Sequence, residues 1–310
     1  MNYQEIKIPN VNFAEYLENL SFAEVASIRS VDSFTKAMDD YLDQGRGITG
    51  VTLPWSNTYE QTRLSKGELS IWAGPSGSGK SLLLGQVMTG AMNQDEKVLI
   101  ASLEMSPQET LSRMINQSAT CKASREYSNS WIKHFTGSLW VYDELDRVQT
   151  KRILGMAHWA ANELGITHIV IDSLTKCGVG RDDYTEQAKF VDRLQWCAKT
   201  WNINIHLVCH MRKSERVGKN DIRGAAEITD LADNVYIITR NKTKEEQVSA
   251  QLANRPYKQE ILDQADCYLE VAKNRKYGEE PTFGLYYNKI SGNYANSKFN
   301  QSKALDVTEY

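Results

Sequence analysis

The chain has 310 residues, with 36 Lys plus Arg against 39 Asp plus Glu, 41% hydrophobic and 24% charged; this suffices for a full core and excludes a wholly disordered chain or a collagen-like fibre. The formal net charge of −3 gives no global attraction for nucleic acid, so any polyanion-binding surface has to come from a local cluster of Lys and Arg. No apolar run approaches a membrane span, and the opening MNYQEIKIPNVNF has neither the basic start nor the hydrophobic stretch of a signal peptide, so a soluble, cytoplasmic protein is expected.

In chain order, Phe34, Met38, Tyr41 and Leu42 fall at helical spacing behind a possible cap at Asp32 or Ser33. They predict a short amphipathic helix whose apolar face needs a partner, in its own body or in a neighbouring subunit. From Glu68 the pattern changes. Strand-like runs at 69–73, 97–103, 139–142, 168–172 and 204–210 alternate with helical stretches near 80–92, 106–118, 150–164 and 185–201, which predicts a mainly parallel sheet covered by helices. Beyond Asp230, runs at 234–239, 267–272 and 282–288 suggest added, partly antiparallel strands, with a polar stretch at 241–264 that reads as helix or surface loop. The five cysteines (Cys121, Cys177, Cys197, Cys209, Cys267) form no C-x-x-C pair, and an odd number in so long a chain argues for a reducing compartment.

The segment Ser70-Ile71-Trp72-Ala73, then Gly74-Pro75-Ser76-Gly77-Ser78-Gly79-Lys80-Ser81, then LLLGQVM, is a strand, a G-x-x-x-x-G-K-S loop and a helix in the required order. Glycines let backbone N–H groups curl around phosphates, and the helix start adds positive potential. Ser76, Gly77, Ser78, Gly79, Lys80 and Ser81 are therefore candidate nucleotide ligands, with Lys80 reaching the terminal phosphates and Ser81 a ligand for Mg²⁺. ATP, or another NTP or dNTP, is the expected ligand. The buried run His168–Ile171 ends at Asp172, where ligands meet open parallel sheets, which makes Asp172 the candidate metal-side carboxylate. The strand KVLIASL leads to Glu104, a candidate to orient or deprotonate water; the alternative is a helix cap ahead of Ser106-Pro107.

With the loop, the segments SLEM (102–105), HIVIDSL (168–174), LVCHMRK (207–213), DIRGAAEITDLADNVYIITR (221–240) and YLEVAKNR (268–275) carry a resemblance to the DnaB family of replicative helicases, nearer to the Twinkle and phage primase-helicase motors. The similarity covers roughly residues 46–295 and includes no primase half. It implies an α/β, RecA-like P-loop NTPase with a central mainly parallel sheet flanked by helices: an N-terminal helical segment over 1–45, a motor domain over 46–300 and a tail over 301–310. It further implies a ring, usually a hexamer, in which ATP hydrolysis at subunit interfaces drives 5′ to 3′ movement on single-stranded DNA. A separate primase, a polymerase and a single-strand-binding protein are implied partners, in a bacterial or phage-infected cytoplasm.

Position by position, the resemblance makes Glu104 the water-activating residue, Asp172 the second acidic motif and His210 the polar γ-phosphate sensor. Lys273 and Arg275, two apart in an extended run and so on one side of it, match the pair that acts on the adjacent subunit's phosphates, an arginine finger included. Arg240 and Tyr287 match positions that sandwich the base. For DNA, the cluster Arg212, Lys213, Arg216 and Lys219 follows the sensor strand, with Arg223 beyond it; a second candidate set is Lys176, Gly178, Gly180 and Arg181. Two departures stand out: Asp230 replaces the usual Gln, and the loop from His210 to Asp221 is short. The competing readings are a RecA/RadA-like recombination ATPase forming a filament and a non-motor RecA-like loader or regulatory ATPase.

Overall fold

The computed structural model of the protein describes residues 29–43, 49–180, 183–211, 225–298 and 303–307. The chain divides into two compact units, Met1–Gly47 and Ile48–Tyr310. In the first, a 3-10 turn at Val31–Phe34 runs into α1 (Thr35–Asp43), where the apolar spacing predicts a helix. Phe34, Met38 and Leu42 all remain substantially exposed.

The second unit is built on β3 (Leu69–Gly74), whose six residues are all buried. A strand buried on both faces carries apolar residues continuously, and each residue goes to the opposite face from its neighbour. Leu69, Ile71 and Ala73 join one core, while Trp72 enters the other. Around β3 lie β4 (Val98–Ser102), β5 (Leu139–Val141), β6 (His168–Asp172), β7 (Asn204–His210), β8 (Asn234–Arg240), β9 (Cys267–Asn274), β10 (Thr282–Tyr287) and β11 (Tyr294–Ala295). Among the described residues they form a nine-stranded sheet in the order β11-β10-β9-β8-β3-β7-β6-β4-β5. From β8 to β5 every pairing is parallel; β9, β10 and β11 are each antiparallel to their neighbour. The sheet is thus the mainly parallel one that the alternating pattern predicts, with antiparallel strands added after Asp230. A separate two-stranded ribbon pairs β1 (Val51–Thr52) with β2 (Arg63–Leu64).

One face is covered by α2 (Lys80–Met92), α3 (Pro107–Ala119) and α4 (Arg125–His134), through Leu83, Val87, Met114 and Trp131. The other is covered by α5 (Thr150–Trp159), α6 (Tyr184–Trp201) and α7 (Ala225–Leu231), through Ile153, Ala157, Phe190, Leu194 and Ile228. α5 passes into a π turn over Ala160–Leu164. The polar stretch at 241–264 contains two helices, α8 (Lys242–Leu252) and α9 (Gln259–Leu262). α3 starts at a capping box, Ser106 with Glu109, which leaves Glu104 without the capping role. Residues 303–307 pack on the main body: Leu305 N–H donates to the Ser118 carbonyl at 2.8 Å and Val307 is buried. All five cysteines are free thiols, and no described helix is long and apolar enough to cross a membrane.

A buried polar chain crosses the sheet below the site. Trp72 stacks on Tyr236 at 4.4 Å, and its indole N–H donates to His206 Nδ1 at 3.1 Å. That bond leaves the proton of neutral His206 on Nε2, which donates to His168 Nδ1 at 3.0 Å. Glu96 and Lys66 stand at the far end, with Glu96 Oε2 4.0 Å from His168 Nε2 and 3.1 Å from the Lys66 amine. Burial lowers both imidazole pKa values, His168 from the ordinary 6.5 to about 4. The unfolded chain therefore binds protons below about pH 6.5 that the folded chain refuses, so stability held above that pH is lost as pH falls towards about 4, by up to ~1.4 kcal/mol per pH unit for each imidazole. Thermal melts should show Tm falling from pH 7 to pH 5, and a His168→Leu/His206→Leu double variant, even if less stable at pH 7, should show a flatter dependence. Equal slopes in the two proteins would remove the imidazoles as the cause.

Candidate active site

The C-terminal edge of the parallel strands gathers the chemistry because four neighbouring strands end there. β3 and β7 are in register through Gly74 and His210, and β4 and β6 through Ser102 and Asp172. The loop after β3, His210, Asp172 and Glu104 therefore arrive together. A cavity of about 490 Å³ is lined by Ser76, Gly77, Gly79, Lys80, Ser81, Glu104, Asp172, His210 and Tyr287, within the size range of small-ligand sites.

The loop has the geometry of an anion cradle. Gly77 and Gly79 take positive φ values of 76° and 93°, which L side chains rarely adopt. At Gly79 a Cβ would also run into the Tyr294 hydroxyl. Gly79 is the N-cap of α2, with no side chain capping the helix, so the helix start is open to an anion. Ser78 Oγ is buried without a partner. The Lys80 amine donates to the Gly74 and Pro75 carbonyls at 2.9 and 3.0 Å, contacts that a phosphate oxygen could replace.

Lys80 is 5% exposed and Asp172 7%. Burial lowers the lysine's pKa, with Asp172 opposing, and raises the aspartate's, with the Ser81 hydroxyl bond opposing. Ser81 and Asp172 offer only oxygen donors, the set a hard divalent cation takes, so the residues present fit Mg²⁺. Glu104 Oε1 accepts from the Ser173 hydroxyl at 2.6 Å and lies 3.5 Å from His210 Nε2. These hydrogen bonds, His210's first, outweigh partial burial and hold the Glu104 pKa down to about 2, so it is an anion at neutral pH.

Arg240, at the end of β8, donates from Nη1 to the Gly77 carbonyl at 3.3 Å and from Nε to Glu245 at 2.6 Å. β9 and β10 each reverse direction, so β10 ends back at the same edge and puts Tyr287 in the cavity wall. Tyr287 also packs on Tyr294, ring centroids 5.1 Å apart. The arginine and the tyrosine thus both border the phosphate loop.

Lys273 and Arg275 stand at the opposite edge. Lys273 is paired with Val235 near the start of β8, and its amine donates to the Thr229 and Asp230 carbonyls at 2.8 and 2.9 Å. Arg275 donates to Asp233 Oδ1 at 3.0 Å and to the Asp230 carbonyl at 2.8 Å. The six residues of β3 lie between this edge and the loop, a rise of roughly 16 Å that neither side chain can bridge within one chain.

Of the nucleic-acid candidates, Arg181, Arg212, Lys213, Arg216, Lys219 and Arg223 lie outside the described residues. Lys176 follows β6 in a 3-10 turn, its amine 3.5 Å from Asp146. The structure adds cavity residues that the sequence reading omits: Arg113 and Asn116 on α3, and the turn at Ile290–Gly292. The first two are three apart, a helical spacing that puts them on one face. The turn has no such signal, because it is brought in by Gln117, whose amide donates to the Leu82 and Gly292 carbonyls at 2.9 Å each.

Comparison with known proteins agrees with this layout. The DNA helicase/primase of Enterobacteria phage T3 is 23% identical over 203 residues, 57% of this chain and 36% of that protein, so the chain spans about a third of its relative's length. Among solved structures, an isolated ATPase domain superposes with a TM-score of 0.71 at 17% identity, over 87% of this chain and all of that one. A DnaB-like replicative helicase, solved in a study of its interactions with primase, gives 0.67 at 16% identity, over 91% of this chain and 71% of that one. These structures share the fold. The profile of the DnaB-like helicase C-terminal domain matches residues 60–296, and the chain belongs to that family.

Proposed function

We propose that this chain is the motor of a ring-forming DNA helicase, hydrolysing ATP at the seams between subunits and using the energy to move 5′ to 3′ along single-stranded DNA and part the duplex. The observation that carries the reading is the separation of the two halves of the site. The phosphate loop lies at one edge of the sheet and Lys273 and Arg275 at the other, so one copy cannot bring them together and two copies in head-to-tail contact can. Heterologous contacts of that kind close into rings when the rotation allows. A hexamer, as the family resemblance implies, repeats the seam six times.

Within one seam, the loop N–H groups and Lys80 bind the triphosphate. Ser81 and Asp172 would hold Mg²⁺, which when bound neutralises charge between the terminal phosphates. Glu104, anionic and beside the cavity, orients the attacking water. Arg240 and Tyr287 flank the base, the cation and the ring offering complementary faces. Arg275, with Lys273, comes from the next subunit and stabilises charge developing on the γ-phosphate, a contribution of roughly 10³–10⁵ in rate for such fingers. His210 contacts Glu104 and directly precedes in sequence the basic run from Arg212 to Lys219; this supports a link between hydrolysis and DNA held by those residues, together with Lys176, Arg181 and Arg223. A primase, a polymerase and a single-strand-binding protein complete the proposed setting.

Complementation tests the seam. Lys80→Ala should lose nucleotide binding, and Arg275→Ala should keep nucleotide affinity while losing hydrolysis by roughly 10³-fold. Mixed in equal amounts, the two inactive proteins should regain roughly a quarter of wild-type turnover, since random assembly pairs an intact loop with an intact finger at one seam in four. No recovery, with mixed rings formed, would exclude a shared site. A DNA-binding test is separate: Lys213→Ala should weaken binding of single-stranded oligonucleotides of any sequence and reduce the salt slope of log K by about 0.7, whereas an unchanged slope would remove Lys213 from the DNA path.

A further inference from the structure

Ser173 directly follows Asp172 at the end of β6 and is fully buried, behind the wall of the nucleotide cavity. Its own carbonyl accepts from the Lys176 N–H at 2.9 Å and from the Cys177 thiol at 3.4 Å, so the residue is anchored on the turn that follows the strand. Its hydroxyl makes the 2.6 Å bond to Glu104 Oε1 and lies 2.7 Å from Thr175 Oγ1. A hydroxyl has one proton to give. With an anionic carboxylate as acceptor, that proton goes to Glu104, and Thr175 must supply the proton of the second contact. The three groups form a one-way chain of donors, Thr175 to Ser173 to Glu104.

The backbone beneath points to the same registration. Ser102 and Asp172 are ladder partners, and Leu103 N–H donates to the Asp172 carbonyl at 2.8 Å. The Ser173 hydroxyl continues that ladder by one side-chain rung, from the strand of the metal-side carboxylate to the strand of the water-side one. The second donor, His210, is looser at 3.5 Å and stands at a strand end. Both donors address Oε1, which leaves Oε2 as the oxygen to take a water.

Resting on the reading of Glu104 as the group that orients water, we propose that Ser173 is the positioning residue for hydrolysis: its hydroxyl, oriented by Thr175, fixes the Glu104 carboxylate so that Oε2 serves the water and the two carboxylates keep a constant spacing. Ser173 touches neither nucleotide nor water. It acts through Glu104, and its removal should cost turnover while sparing affinity.

The test is a double-mutant cycle on the full chain, with Mg²⁺, ATP and a single-stranded oligonucleotide, alongside titration with a fluorescent ATP analogue and a thermal melt. Ser173→Ala should lower kcat by about 10–100-fold, the worth of a hydrogen bond to a charged group, with KM and analogue Kd within about twofold of wild type. In a Glu104→Gln background the same substitution should cause no further loss. An unchanged kcat for Ser173→Ala, or an equal fold-loss in both backgrounds, overturns the proposal while leaving Glu104 in place. Full turnover by Glu104→Gln alone instead removes the reading on which it rests. Should Ser173→Ala fail to give a cooperative melt, Thr175→Val, at a partly exposed position, reads the same chain of donors from its far end: kcat should fall about 2–5-fold, and wild-type turnover would overturn the proposal.

Discussion

The antiparallel pairing of β9 with β8 decides where chemistry can occur. Had β9 run parallel to β8, as the five strands from β3 to β5 do in their own pairings, its end would deliver Lys273 and Arg275 to the edge that carries the phosphate loop. Because it runs the other way, Asn274 faces Asn234 at the start of β8, and the cations emerge a sheet's length from the triphosphate that they are proposed to serve. Arg275 is anchored there by Asp233 and by the Asp230 carbonyl, so it is presented outward from a fixed base. A direction of pairing, set by backbone hydrogen bonds, thus turns an enzyme site into an assembly problem.

The phosphate loop has a second constraint, the burial of opposite charges. Lys80 and Asp172 both lie in the interior, and burial pushes each towards its neutral form. Each partly offsets the other, but the lysine's donors go to loop carbonyls and the aspartate's nearest donor is the Ser81 hydroxyl. A site of this kind gains most from a ligand that brings matching charge: anionic phosphate oxygens for the amine and the helix start, a cation for the carboxylate. The conformational demand of Gly77 and Gly79 and the helix start left without a side-chain cap are the backbone's part of the same design.

Much of this was legible from sequence because the determinants are local. The phosphate loop is contiguous, each of its residues acts through its own backbone or side chain, and the alternating strand and helix runs reach their elements within a residue or two. Some elements were readable but passed over. Helix α4 carries Tyr127, Trp131 and Phe135 at four-residue spacing behind a Ser124 cap, yet its polar residues make the segment look like loop. The Ser173 to Glu104 contact is of another kind. It joins positions 69 apart, depends on the adjacency of β4 and β6, and involves a residue type that is unremarkable after any acidic strand end. The same holds for Gln117 and the turn at Gly292. Side-chain bonds between distant strands carry no periodicity, so pattern reading has nothing to detect.

Glu104 illustrates how such a bond changes chemistry and not only shape. A carboxylate held at a pKa of about 2 by His210 and Ser173 accepts hydrogen bonds well and protons poorly, so before substrate arrives it is suited to orienting water rather than deprotonating it. The incoming triphosphate adds negative charge beside it, and a like charge raises a carboxylate's pKa. Any lengthening of the His210 contact, already at the limit of hydrogen bonding, has the same sign. Basicity at Glu104 therefore increases as the site fills and as the strand end bearing His210 shifts, while the Ser173 bond keeps the oxygen in place. Positioning comes from the buried, well-anchored donor and adjustability from the exposed one, which stands next in sequence to the basic residues proposed to hold DNA.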